Sequence, residues 1–158
     1  MSSPIHVLYV DDDPAFSDLT STVLEREARL TVATATGGRD ALDYLSDHDV
    51  DCVVSDYDMP RMNGIELLES VRETAPRLPF ILFTGKGSEE IAAEAVEADV
   101  SGYLQKGGTD TFELLAKRVR KEVTDSRVTA SYGKYEAKAS PFRARMKPTN
   151  SIQPPSMA

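Results

Sequence analysis

Short apolar runs alternate five times with amphipathic segments, and this alternation restricts the folds open to the chain more than any other feature. The runs are Ile5–Val10, Leu30–Ala35, Asp51–Ser55, Pro79–Phe83 and Gly102–Leu104. Val7-Leu8-Tyr9-Val10 and Phe80-Ile81-Leu82-Phe83 carry no polar alternation, as expected of strands covered on both faces. The segments between them have helical spacing. Phe16, Leu19 and Val23 form one apolar stripe, behind a capping Asp13 and a Pro14 at the first helical position. Ala41, Leu42 and Leu45 mark a second helix, and Ile65, Leu68 and Val71 a third. Ile91, Ala92, Ala95 and Val96 mark a fourth, and Phe112, Leu115, Ala116, Val119 and Val123 give the longest stripe. Five successive βα units imply an α/β fold: a parallel sheet, right-handed crossovers and helices on both faces.

The periodicity stops near residue 124, so a folded domain is expected over 1–124 and a flexible basic tail over 125–158. Those 34 residues are too few and too proline-rich for a helix-turn-helix unit. Residues 1–124 carry 24 acidic and 12 basic side chains, whereas 125–158 carry 2 and 6. So acidic a body argues against specific nucleic-acid binding and suits a metal site. The single cysteine, Cys52, excludes a disulfide framework and a cysteine-rich zinc site, and within its apolar run it reads as a small core residue. No apolar run approaches the roughly 18 residues of a membrane span. Met1–His6 lacks the basic flank and apolar stretch of a secretory signal. A cytoplasmic protein is expected.

In an open parallel sheet, ligands bind beyond the carboxyl ends of the strands. Asp11, Asp12 and Asp13 follow Val10, Asp56 follows Ser55, Thr84 follows Phe83, and Lys106 follows Leu104 and Gln105. Any one of these is ordinarily a helix cap or a loop residue. Together they deliver carboxylates, a hydroxyl and an ammonium to one edge. Oxygen ligands of this kind suit Mg2+, and a compact ammonium suits phosphate oxygens.

The motifs Val10-Asp11-Asp12-Asp13-Pro14, Ser55-Asp56-Tyr57-Asp58-Met59-Pro60-Arg61-Met62-Asn63-Gly64, Phe83-Thr84-Gly85 and Tyr103-Leu104-Gln105-Lys106 resemble those of response-regulator receiver domains, in the family's order and spacing. Gly85-Lys86-Gly87-Ser88-Glu89-Glu90, with Lys106-Gly107, resembles receivers of halophilic archaea. The resemblance implies a flavodoxin-like strand order 2-1-3-4-5 and a signalling module rather than an enzyme. It implies that Asp56 accepts a phosphoryl group from a histidine kinase or phosphotransfer protein. Mg2+ would be held by Asp12 and Asp56, by the backbone carbonyl of Asp58, and by Asp11 through water. Lys106 would pair with phosphoryl oxygens. Thr84 and Tyr103 would act as the switch, turning the face formed by helix 4, strand 5 and helix 5 toward an effector.

Three positions depart from the family's pattern. Gly107-Gly108 replaces the proline that commonly follows the lysine, Gly85 follows Thr84, and Asp58 adds an acid beside the site. Two other functions compete. A haloacid-dehalogenase-like phosphohydrolase would share Asp56-Tyr57-Asp58, but in those enzymes the acidic pair follows the lysine, whereas Asp11-Asp12 come first. A pseudo-receiver that only binds partners would lack one of Asp12, Asp56, Thr84 or Lys106, and none is missing.

Overall fold

A computed structural model describes residues 4–132 apart from residues 28, 86 and 109, with only the backbone described at 131 and 132. The strands are β1 (Ile5–Val10), β2 (Leu30–Ala35), β3 (Cys52–Ser55), β4 (Phe80–Thr84) and β5 (Gly102–Gln105). The helices are α1 (Pro14–Leu24), α2 (Gly38–Asp47), α3 (Gly64–Thr74), α4 (Glu89–Glu97) and α5 (Thr111–Tyr132). All strand pairings are parallel, in the order β2-β1-β3-β4-β5. The expected fold class and strand order are therefore observed.

The sheet separates two apolar cores, and alternate residues of each central strand supply them. Leu8, Val10, Val53, Phe80 and Leu82 face Leu45 of α2 and Ile65, Leu68 and Val71 of α3, with Ala95 of α4. Val7, Tyr9, Cys52, Val54, Ile81 and Phe83 face Leu24 of α1 and Leu115, Ala116, Val119 and Val123 of α5. Cys52 is fully buried, as expected. Helix starts are fixed locally. The Asp13 carboxylate accepts from the N–H groups of Ala15 and Phe16, and Asn63 and Glu66 form a reciprocal capping box at α3.

Three expectations change. The buried face of α1 is Ser17, Thr20 and Leu24, one residue round from the Phe16–Leu19–Val23 stripe, and Leu19 is 49% exposed. Hydroxyls of moderate polarity can line a helix–sheet contact, so the apolar residues alone misplace it. In α4 only Ala95 is buried, and Val96 is 72% exposed. The boundary expected at 124 is also crossed, since α5 continues to Tyr132. Arg127 anchors that extra stretch by donating to the Pro4 carbonyl at 2.9 Å and pairing with Asp51 at 3.5 Å. The rest of the expected tail, 133–158, lies outside the described residues.

Candidate functional site

β1, β3 and β4 are neighbours at the centre of the sheet, so the residues at their carboxyl ends emerge side by side. The backbone tightens this edge. The Asp56 N–H donates to the Val10 carbonyl at 2.9 Å, and the Lys106 N–H donates to the Thr84 carbonyl at 2.9 Å. The loop after Asp56 closes where Gly64 opens α3. Its N–H donates to the Tyr57 carbonyl at 2.8 Å, and a Cβ at Gly64 would come within 2.3 Å of the Asp56 carbonyl oxygen. Only glycine allows that approach. After Lys106, Gly107 and Gly108 take φ of +135° and +76°, a turn that glycine makes readily and that a proline could not.

Asp11, Asp12 and Asp56 each place a carboxylate oxygen within 4.8 Å of the others. Asp11 and Asp56 are buried and Asp12 is exposed. The Lys106 ammonium bridges the buried pair, 2.9 Å from Asp11 Oδ2 and 3.5 Å from Asp56 Oδ2. It also lies 4.3 Å from the centre of the Phe16 ring. Asp56 Oδ1 accepts from the Tyr57 N–H at 2.8 Å. Asp13, Asp58, Thr84 and Gly85 complete the lining of an open cleft over these groups.

Among the described residues one ammonium faces three carboxylates, so positive charge is in deficit there. Burial pushes the Asp56 carboxyl above its ordinary range. Lys106 opposes that rise, Asp11 adds to it, and hydrogen bonds from the Thr84 hydroxyl and the Tyr57 N–H oppose it. The donor set is all oxygen and anionic, which fits a hard divalent cation.

Every expected site residue within the described structure reaches this edge or the strand beside it. Tyr103 pairs with Leu82 in the β4–β5 register, on the same sheet face as Thr84. Its ring packs on the core beneath α2, α3 and α4, and its buried hydroxyl has no hydrogen-bond partner among the described residues. Leaving such a group unmatched costs about 1–3 kcal/mol. The two histidines lie apart from the acidic cluster. His6 Nε2 is 2.7 Å from the Tyr44 hydroxyl, and His48 stacks on the same Tyr44 ring at 3.9 Å.

Two residues of the site were read from the sequence only as core. Phe16 lies under Lys106, and the Tyr9 hydroxyl donates to Asp11 Oδ2 at 2.8 Å. A signal for Tyr9 existed. A tyrosine in a doubly covered strand needs a partner for its hydroxyl, and Asp11, two residues on, shares its face.

Residues 7–120 match the response regulator receiver domain. The chain is 36% identical over 103 residues to the transcriptional regulatory protein GlrR of Escherichia coli, covering 65% of this chain and 23% of that protein. It thus spans about a quarter of the length of that curated relative. A CheY-like response regulator receiver domain protein from Methanospirillum hungatei superposes with a TM-score of 0.74 at 26% identity, over 80% of this chain and 99% of the other. The response regulator TrrA of Thermotoga maritima, solved in complex with Mg2+ and BeF, gives 0.67 at 27% identity, over 75% and 98%. No described helix is long and apolar enough to cross a membrane. The matches run through the sheet and the acidic edge alike, and the chain belongs to the receiver domain family of two-component response regulators, a family of signalling domains.

Proposed function

We propose that this chain is the phosphoryl-accepting switch of a two-component pathway, with Asp56 as the acceptor. The observation that carries this reading is the meeting of three carboxylates and the Lys106 ammonium at one sheet edge. A carboxylate attacks an anionic phosphorus only when charge on the transferred group is neutralised and the reactants are aligned. Asp56 supplies the attacking oxygen. Its new O–P bond forms as the P–N bond of a kinase phosphohistidine breaks, or the P–O bond of a small acyl phosphate. Lys106 lies close enough to both buried carboxylates to follow the charge onto phosphoryl oxygens.

Asp12 and Asp56, with the carbonyl of Asp58, would hold Mg2+ directly, and Asp11 through water. The bound ion would neutralise and orient the phosphoryl group. Thr84 now hydrogen-bonds the Asp56 carboxylate. After transfer its hydroxyl can donate to a phosphoryl oxygen instead, a contact that exists in one state only, as a switch requires. Tyr103, whose hydroxyl has no partner among the described residues, is the second moving part. It would couple the edge to the α4–β5–α5 face, where an effector docks. A cytoplasmic histidine kinase or phosphotransfer protein would be the donor, and residues beyond α5 would take no part in the transfer.

Incubation with acetyl phosphate and Mg2+ tests this. Peptide mapping by mass spectrometry should find one base-labile phosphoryl group, on Asp56, and none there in Asp56→Asn. Label on a serine or histidine, or a label that Asp56→Asn retains in full, overturns the assignment.

A further inference from the structure

We propose that Tyr9 is a positioning residue for Asp11, holding Asp11 Oδ2 by its buried hydroxyl so that Lys106 can leave that oxygen for a phosphoryl group on Asp56. The proposal rests on the reading of Asp56 as acceptor.

The hydrogen bonds of Asp11 carry the argument. Oδ1 accepts from the Asp13 N–H at 3.0 Å. Oδ2 accepts from two donors, the Tyr9 hydroxyl at 2.8 Å and Lys106 Nζ at 2.9 Å. The Asp11 side chain is fully buried while both donors are in place, so within the fold these two donors satisfy Oδ2. A buried charged acceptor stripped of its donors is strongly disfavoured.

The two donors differ in freedom. Lys106 has other places to go, since Asp56 Oδ2 lies 3.5 Å away and the Phe16 ring 4.3 Å. Its side chain is long, flexible and partly exposed. Tyr9 is fixed. It lies in β1 between β2 and β3, is fully buried, and meets the Phe83 ring edge-on at 6.5 Å. Phe83 in turn packs on Phe16 and Phe112. A phenol, with an ordinary pKa of about 10, is protonated at neutral pH and stays a donor there. Tyr9 is thus the standing donor and Lys106 the mobile one. A phenylalanine would fill the same space in this aromatic cluster, so the hydroxyl is the part that acts on Asp11.

The hydroxyl could matter to packing and stability alone. Its coupling to Lys106 separates the two roles. Melting temperatures of wild type, Tyr9→Phe, Lys106→Met and the double variant are measured in chelator and mildly alkaline buffer. Initial rates of labelling by acetyl phosphate at saturating Mg2+ are measured for wild type and Tyr9→Phe. Tyr9→Phe should still label on Asp56, but at least about threefold more slowly, because Lys106 then leaves Oδ2 bare. The melting-temperature loss caused by removing the hydroxyl should be at least about twice as large once Lys106 is gone. A smaller slowing, or equal losses in the two backgrounds, overturns the proposal and leaves Tyr9 a packing residue. Either result leaves the acceptor reading intact, because the label is still found on Asp56. Wild type that takes no label on Asp56 overturns the acceptor reading and the movement of Lys106 with it. The rate comparison needs only Tyr9→Phe, so it decides the matter even if Lys106→Met does not fold.

Discussion

β1 changes character within one residue. Val7, Leu8, Tyr9 and Val10 are fully buried and, apart from one hydroxyl, apolar, whereas Asp11 is equally buried and charged. The same change occurs where β3 ends, from Val54 through Ser55 to Asp56 just beyond it. At Asp11 and Asp56 the carboxyl edge therefore does not differ from the interior of the sheet in burial. They differ in whether the buried groups satisfy one another. Apolar side chains in the two cores need no partner, and their removal from water stabilises the fold. At the edge, Asp11 and Asp56 share one ammonium, and Asp12 adds a third carboxylate. The interior holds the fold together. The edge is held in place by the interior and stores a charge imbalance that a cation can relieve.

The comparison is broken most easily from the core side. Phe83 is fully buried and touches the rings of Tyr9, Phe16 and Phe112. Phe83→Ala should lose about 3–5 kcal/mol in denaturant unfolding. A loss of under about 1 kcal/mol, the scale of an exposed ion pair, would show that the aromatic cluster does not support the edge.

A substitution at the edge should act in the opposite direction. The Asp56 carboxyl is raised above its ordinary range, so the folded protein takes up its proton more readily than the unfolded chain does. Its destabilising effect is complete once pH has risen past the folded value, fades as pH falls from there to the ordinary carboxylate value, and is gone below it. In chelator at neutral pH, Asp56→Asn should melt about 3–5 °C higher, on the scale of about 1 kcal/mol left after Lys106 offsets part of the repulsion. That gain should shrink on acidification. A gain that grows toward low pH would mean that the charge of Asp56 is well matched in the folded state.

The smallest effect is expected away from both regions. Lys121 and Asp125 form an ion pair on α5 at 3.1 Å, with side chains 66% and 62% exposed. Lys121→Ala should change stability by no more than about 0.5 kcal/mol.

How much of this was legible in the sequence follows the same division. Strands with unbroken apolar runs could be read because burial on both faces leaves a one-dimensional trace. The βα alternation then fixed which residues reach the edge, so Asp11, Asp56, Thr84 and Lys106 could be named without coordinates. Helix faces were less legible. The buried face of α1 contains Ser17 and Thr20, and α4 leaves Val96 outside, because contact with the sheet decides orientation and apolarity is only a guide to it. The continuation of α5 past residue 124 could not be read from periodicity. It depends on Arg127 reaching Pro4 and Asp51, more than 70 residues away in sequence. Tyr9 was hidden for the opposite reason: it looks like the residues around it, and only its hydroxyl belongs to the edge.

The stored charge imbalance is tested most directly by titrating Mg2+ into wild type and Asp12→Ala while following the melting temperature. Asp12 is exposed and belongs to the acidic cluster, and no ion pair between it and Lys106 falls within 4 Å among the described residues, so its removal lowers the negative charge with little loss of packing. In chelator, Asp12→Ala should melt at the same temperature as wild type or higher. Millimolar Mg2+ should raise wild type by several degrees through mass action and leave the variant nearly unmoved. A variant clearly less stable than wild type in chelator, or one that rises with Mg2+ in parallel with it, would contradict the idea that these carboxylates destabilise the empty edge and hold the cation.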